Sequence, residues 1–250
     1  MLRAALFMRI DLEGIVIIVG NYGSGKTEVS INLAVQQKLL GMDVRIADLD
    51  LVNPYFRTRE AKATLSGFGI ETVVPPEEYL KADLTYLSPV VAGMIRQPSQ
   101  LTLLDVGGDD VGASVLASLG DALRTQTSKM LQVVNPFRPT TETAEGCLKI
   151  KKEIESTSKL HVAGWIGNSN LMDETVIADI YNGYRFMEAL ADSSGLPLHF
   201  VTVEERLLPD IDLTRFACPV LPIQRQLVPP WRRAENMGQI RGPMNRIMSG

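Results

Sequence analysis

Eight consecutive residues, Gly20-Asn21-Tyr22-Gly23-Ser24-Gly25-Lys26-Thr27, spell G-x-x-x-x-G-K-[ST]. Residue types in that order make a phosphate cradle. The glycines let successive backbone N–H groups turn towards one anion, and the N-terminus of a following helix adds partial positive charge. Lys26 is expected to reach the β- and γ-phosphates and the Thr27 hydroxyl to ligate Mg²⁺. Glu28, the next residue, is counted with Gly20 to Thr27 as lining the nucleotide.

Such a cradle needs carboxylates opposite it, and three acidic sites fall where apolar runs end. Asp48-Leu49-Asp50 follows Val44-Arg45-Ile46-Ala47. Asp105 follows Leu101-Thr102-Leu103-Leu104, and the pair Asp109-Asp110 comes shortly after. An acid after an apolar strand downstream of such a loop holds the metal or a metal-bound water, which assigns Asp105. Asp48 and Asp50 have period-two spacing and, if extended, face opposite sides. Asp50, on the loop side, is expected to orient the attacking water and to join Thr27 and Asp105 at the metal. Asp109 is placed with Lys26 and Asp50 among the catalytic candidates. The competing reading of each acid is a helix cap or turn residue. Val106-Gly107-Gly108 lets backbone approach a γ-phosphate, so this segment is expected to sense the terminal phosphate.

These groups need a scaffold that brings strand ends together. Continuous apolar runs at 15–19, 44–48, 71–74, 101–105, 130–134, 161–166 and 198–203 read as strands buried on both faces. Helical stretches alternate with them at 27–40, 57–66, 88–96, 112–123, 140–157 and 174–193. Strand–helix alternation predicts one α/β domain, a mostly parallel sheet with helices on both faces, over residues 14–223. Residues 1–13 read as an N-terminal extension, in which Met8 is an alternative start. Residues 224–250 read as a basic tail: Arg225, Arg232, Arg233, Arg241 and Arg246 face a single acid, Glu235. That tail is either a packed or frayed extension or a partner-binding arm.

The 250 residues are 45% hydrophobic and 22% charged, enough for one large core. A net charge of −4 and a pI near 5.3 give no general attraction to nucleic acid or anionic lipid. Cys147 and Cys218 form no C-x-x-C pair and read as small buried hydrophobes. No apolar run approaches the ~20 residues of a membrane span, so the expected compartment is the cytoplasm.

The order of motifs is similar to that of the MinD/ParA/nitrogenase-iron-protein group of P-loop ATPases. The P-loop runs into Ser30-Ile31-Asn32-Leu33-Ala34, and Gly41 to Asp50 resembles the group's strand with a D-x-D end. Asp105-Val106-Gly107-Gly108-Asp109 resembles the iron protein's second switch. Ile166-Gly167-Asn168-Ser169-Asn170 resembles the strand whose terminal Asn reads adenine. The resemblance covers roughly residues 14–223 and implies ATP and ADP with Mg²⁺, slow hydrolysis used as a switch, and an ATP-dependent homodimer. By position it gives Asp50 the water, Asp105 an outer-sphere Mg²⁺ role, Gly108 a γ-phosphate amide and Asn168 the adenine. The loop Glu204-Glu205-Arg206 is implied to line the base through its backbone.

Three departures stand out. The group's first P-loop lysine, which reaches a partner's phosphates, is Asn21 here, so a cross-dimer charge must come from elsewhere, with Arg57 and Arg59 as candidates, or be absent. Gly112 occupies the iron protein's cluster-cysteine position, so no iron–sulfur cluster is expected. The C-x-C motif of nickel-insertion relatives is missing, and His161 and His199 read as structural. The leading expectation is an ATPase switch acting on an unidentified protein partner, with metalloenzyme maturation suggested by relatives alone. A carboxylate-activating enzyme of the dethiobiotin synthetase type and a non-hydrolysing nucleotide sensor stay open. Tyr55 and Phe56 after Asn53-Pro54 are expected on the first switch loop, either facing a partner or packing beneath the next helix.

Overall fold

The seven apolar runs form strands, and with one more they make up an eight-stranded all-parallel sheet among the described residues: β1 Gly14–Val19, β2 Val44–Leu49, β3 Glu71–Val73, β4 Leu101–Val106, β5 Ser128–Val134, β6 Val162–Gly167, β7 Leu198–Glu204 and β8 Val220–Ile223. Their spatial order is β3-β2-β4-β1-β5-β6-β7-β8. The computed structural model describes residues 9–50, 58–74, 87–108 and 110–228. Tyr55, Phe56, Arg57, Asp109 and the tail beyond residue 228 lie outside them.

Among the described residues seven α-helices connect the strands: α1 Lys26–Leu39, α2 Lys62–Gly67, α3 Leu87–Arg96, α4 Asp110–Ser118, α5 Gly120–Leu123, α6 Ala144–Ser158 and α7 Ile177–Ser194. Side chains of a strand alternate between faces, and β1 shows the consequence. Val16 and Ile18 pack with Val29, Ile31 and Leu33 of α1, whereas Ile15, Ile17 and Val19 pack with Val91, Ile95 and Leu116 of α3 and α4. Both faces are covered, which is why the runs are apolar without alternation.

The two halves of the sheet are wound in opposite directions from the centre. After β1 the chain travels through α1 to β2, and after β5 it travels through α6 to β6 on the other side. The switch point lies between β1 and β5, at whose carboxyl ends a crevice must open.

Several boundaries differ from the sequence expectation for local reasons. The helix expected from residue 140 starts at Ala144, because Thr143 is extended and its hydroxyl accepts from the Gly146 N–H. The single helix expected over 112–123 is two, divided at Leu119. Strand β8 was not expected, since Pro222 sits in its centre. It pairs only with β7, so a proline without an N–H is tolerated at this edge. Ile10 and Leu12, in the expected extension, are buried beside α1, and the Gln37 amide donates to the Ile10 carbonyl at 3.0 Å.

Trp165 of β6 is fully buried among Cys147, Met187 and Leu190, and its indole N–H donates to Ser194 Oγ at 2.9 Å. Trp165→Ala should lower unfolding stability by about 3–5 kcal/mol in urea titrations. A loss below about 1 kcal/mol would show that α6 and α7 collapse onto the sheet without it.

Candidate functional site

At the switch point the structure opens a cavity of about 690 Å³. It brings together Asn21, Tyr22, Gly23, Gly25, Lys26, Thr27, Glu28, Asp50, Gly108, Asn168 and Glu204 from the expected set. Gly20, Ser24 and Asp105 lie outside its lining, and Asp109 falls outside the described residues.

The cradle itself is held by backbone geometry and by neighbours on three strands. Gly25 has φ +87°, and a Cβ there would collide with the Asn168 amide, so a side chain is excluded twice. The Asn168 amide donates to the Ser24 carbonyl at 2.7 Å, and its oxygen accepts from the Thr202 hydroxyl at 2.6 Å. Asn168 therefore ties the loop to β6 and β7. Lys26 Nζ donates to the Asn21 carbonyl at 3.1 Å, across the mouth of the loop. Gly108 closes over it: a Cβ there would lie 2.7 Å from Lys26 Nζ and 2.8 Å from the Tyr22 nitrogen.

Beneath the cradle, Asp48 and Asp105 face each other across β2 and β4 as register partners, both buried. Asp105 accepts from Thr58 Oγ1 at 2.7 Å and Ser30 Oγ at 3.3 Å, and Thr27 also bonds to it. Burial, and then the neighbouring Asp48 carboxylate, push the Asp105 carboxyl up to about 7 against the Thr58 hydroxyl, Lys26 and the Thr27 hydroxyl. Burial raises Asp48 too, opposed by Arg59, whose Nε lies 2.9 Å from its carboxylate. The Asp50 N–H donates to Asp48 at 3.0 Å, and Asp50, not Asp48, lines the cavity.

Arg59 was a candidate for a charge reaching across a dimer. The structure turns it inwards: beyond the Asp48 pair, its Nη2 donates to the Asp50 carbonyl at 2.9 Å. In this position the guanidinium balances a buried carboxylate.

Another part of the cavity wall joins Glu28 and Glu204, both expected at the nucleotide, to residues 225–227, which read as part of a basic tail. Arg225 bridges Asp173 at 2.6 Å and Glu204 at 2.9 Å, and Arg206 also pairs with Glu204 at 2.9 Å. The carboxylate of Glu28 accepts from the N–H groups of Gln226 and Leu227 at 2.8 and 3.0 Å. The start of the expected tail thus packs onto α1, where Asn32 also exchanges two bonds with the Gln224 backbone. From the β5–α6 loop come Arg138 and Thr140: Asn21 Nδ2 donates to Thr140 Oγ1 at 2.6 Å, and Arg138 Nε to the Gly23 carbonyl at 3.1 Å. The rule that ligands sit at strand ends beside the switch point would have pointed to this loop.

No family model matches the chain, and no curated protein does. Solved structures do. FtsY of Thermotoga maritima aligns with 77% of the chain at 19% identity and a TM-score of 0.56. FtsY of Mycoplasma mycoides aligns with 83% at 20% identity and 0.55. The signal recognition particle 54 kDa protein of Aeropyrum pernix, solved with GDP, aligns with 78% at 14% identity and 0.54. The chain spans 62%, 67% and 42% of these proteins respectively. The fold is that of a P-loop NTPase. Among the described residues no helix is long and apolar enough to cross a membrane.

Glu28 supplies a pH dependence. Burial raises its carboxyl from 4.5 to about 7, against the N–H groups of Leu227 and Gln226 and the Asn32 amide. A carboxyl raised in the folded state contributes stability that is complete below its ordinary value and is lost as pH rises through the folded value. The melting temperature of ligand-free protein should therefore fall between about pH 5 and about pH 7.5, and in Glu28→Gln the fall should be smaller. Equal falls in scanning fluorimetry would remove Glu28 as a titrating group.

Proposed function

We propose that the chain is an ATP-driven, Mg²⁺-dependent switch of the MinD/ParA type, acting on a protein partner. The observation that carries this reading is the chain of contacts from Thr27 through Asp105 to Thr58. Thr27 sits where the phosphates would bind, and Asp105 lies on the floor beneath it. Thr58 is the first described residue beyond the segment 51–57 that follows Asp50. Whatever changes the charge or position of Asp105 must alter its bond to Thr58, which is how a terminal phosphate becomes a conformational signal.

The residues fit Mg²⁺, which takes oxygen ligands in an octahedron and retains several waters. Among the described residues no cluster of three or more His, Cys, Asp or Glu would hold a metal alone. A hydroxyl from Thr27, with Asp105 behind it and Asp50 at the cavity wall, suits an ion that arrives with the phosphates. Bound there, Mg²⁺ would neutralise charge on the β- and γ-phosphates. Lys26 would leave the Asn21 carbonyl for the phosphate oxygens. Asp50 would orient a water whose oxygen bonds to Pγ as the bond from Pγ to the bridging oxygen breaks, giving ADP and phosphate.

The base end favours adenine. Guanine presents adjacent N–H donors that call for an unengaged carboxylate. Glu204, which lines the cavity, is paired with Arg225 and Arg206, while Asn168 gives one amide N–H to Ser24 and has a second for a ring nitrogen. Dimerisation over the nucleotide face is supported by Tyr22, which stands 74% exposed on the loop.

Fluorescent-nucleotide titration should show ATP preferred over GTP. Lys26→Ala should weaken ATP binding by at least about tenfold. Asp50→Asn should retain binding and lose about 100-fold in phosphate release. Binding by the wild type with equal, zero phosphate release in wild type and Lys26→Ala would refute the ATPase and leave a sensor.

A further inference from the structure

The position at which the resembling ATPases carry their first P-loop lysine is held by Asn21, and the structure shows where its amide goes. An amide at that position reaches Thr140 Oγ1 at 2.6 Å, where an ammonium would leave for a partner. Two residues before Thr140 in the same loop, Arg138 lays its Nε against the Gly23 carbonyl at 3.1 Å. Gly23 has φ +75°, and a Cβ there would sit 3.4 Å from the Arg138 Nε. The first half of the cradle is therefore clasped from one side by a single loop, and that loop contributes a guanidinium, held at Gly23, to the lining of the cavity that Tyr22, Lys26 and Gly108 also line.

The loop is stiff. The Asn135 side chain accepts from the Phe137 N–H and donates to the Asn170 carbonyl. Thr141 Oγ1 donates to the Asn135 carbonyl at 2.7 Å, and backbone bonds link Arg138 to Asn135 and to Thr141. Pro136 and Pro139 restrict φ on either side of the arginine. Beyond its Nε contact, the guanidinium of Arg138 makes no hydrogen bond to another described residue. Its Nη groups are a planar donor fork of the kind that binds phosphate oxygens in pairs. A charge presented on a rigid loop loses little freedom on binding.

We propose that Arg138 is a phosphate-contacting residue: its Nη groups bind the terminal phosphate of the nucleoside triphosphate and supply, within one chain, the positive charge that Asn21 cannot. The proposal rests on the nucleotide-switch reading above and adds a consequence to it. A cation that comes from the same chain makes the chemistry independent of a second copy reaching across. An arginine so placed stabilises charge developing on the transferred phosphoryl group.

The test is to compare wild type with Arg138→Gln, which retains a donor for the Gly23 carbonyl and loses the charge, and Arg138→Lys, which retains the charge. Affinities for ATPγS and ADP and the phosphate-release rate are measured for each, the rate also across a series of protein concentrations. In Arg138→Gln the preference for ATPγS over ADP should fall by at least about tenfold, with a matching or larger loss of kcat. Arg138→Lys should recover part of both, and the wild-type specific activity should be flat with protein concentration. Wild-type ratio and rate in Arg138→Gln would reduce Arg138 to a staple on Gly23 and overturn the proposal alone. Absence of nucleotide binding by the wild type would overturn it together with the switch reading. Specific activity rising steeply with protein concentration would overturn the same-chain charge.

Discussion

Two carboxylates stand side by side in the middle of a dry parallel sheet, and much of the site's architecture follows from keeping them there. Asp48 and Asp105 are register partners on β2 and β4, each buried, each pushed upward by burial. A pair of this kind is tolerable only when every lone pair has a partner. Arg59 and the Asp50 N–H serve Asp48, while Thr58, Ser30 and Thr27 serve Asp105. These partners come from the 3₁₀ turn before α2, from the end of β2 and from α1. Satisfying two acids thus joins the cradle to the segment that follows β2. The same contacts make the region responsive, because a cation arriving above Asp105 relieves the repulsion that its neighbours now oppose.

The cradle is equally dependent on what surrounds it. Its φ values are those of a loop that only glycine relaxes into, at Gly20, Gly23 and Gly25. Such a loop is not self-supporting, and here it is fixed by groups from three strand ends. Asn168 after β6 holds the Ser24 carbonyl, Thr202 of β7 orients Asn168, and the loop after β5 holds Asn21 and Gly23. Preorganisation of this kind removes the entropy of ordering a glycine-rich segment from the binding step.

Most of this fold was legible because its signals are local and redundant. Continuous apolar runs mark strands covered on both faces, and an unbroken P-loop between a strand and a helix fixes where the phosphates would go. What escaped was non-local. Pro222 reads as a breaker until β8 is known to be an edge. Arg138 and Thr140 carry no motif; their roles exist only because β1 and β5 are neighbours although more than a hundred residues separate their ends. Arg59 was legible as a charge near the site but not as the partner of a buried acid, since its direction depends on Asp48 of β2 being buried beside Asp105 of β4. Glu28 follows the P-loop directly, and only the fold shows that its carboxylate serves the N–H groups of Gln226 and Leu227.

That last contact gives α1 two tasks. Its first turn presents Lys26 and Thr27 to the phosphate end of the cavity. The same turn, through Glu28 and then Asn32 one turn later, holds the chain as it leaves β8, so that Ile223, Arg225 and Leu227 join the cavity wall. A buried carboxylate is a costly anchor, and its raised carboxyl records the cost. The arrangement is intelligible if both parts of the cavity must be set by one rigid body. A helix of fixed pitch then sets the distance between the P-loop and the part of the wall formed by Ile223, Arg225 and Leu227, and no flexible linker intervenes. A ligand that spans the cavity would press on both through α1, which places the packed start of the tail in mechanical register with the loop that grips the phosphates.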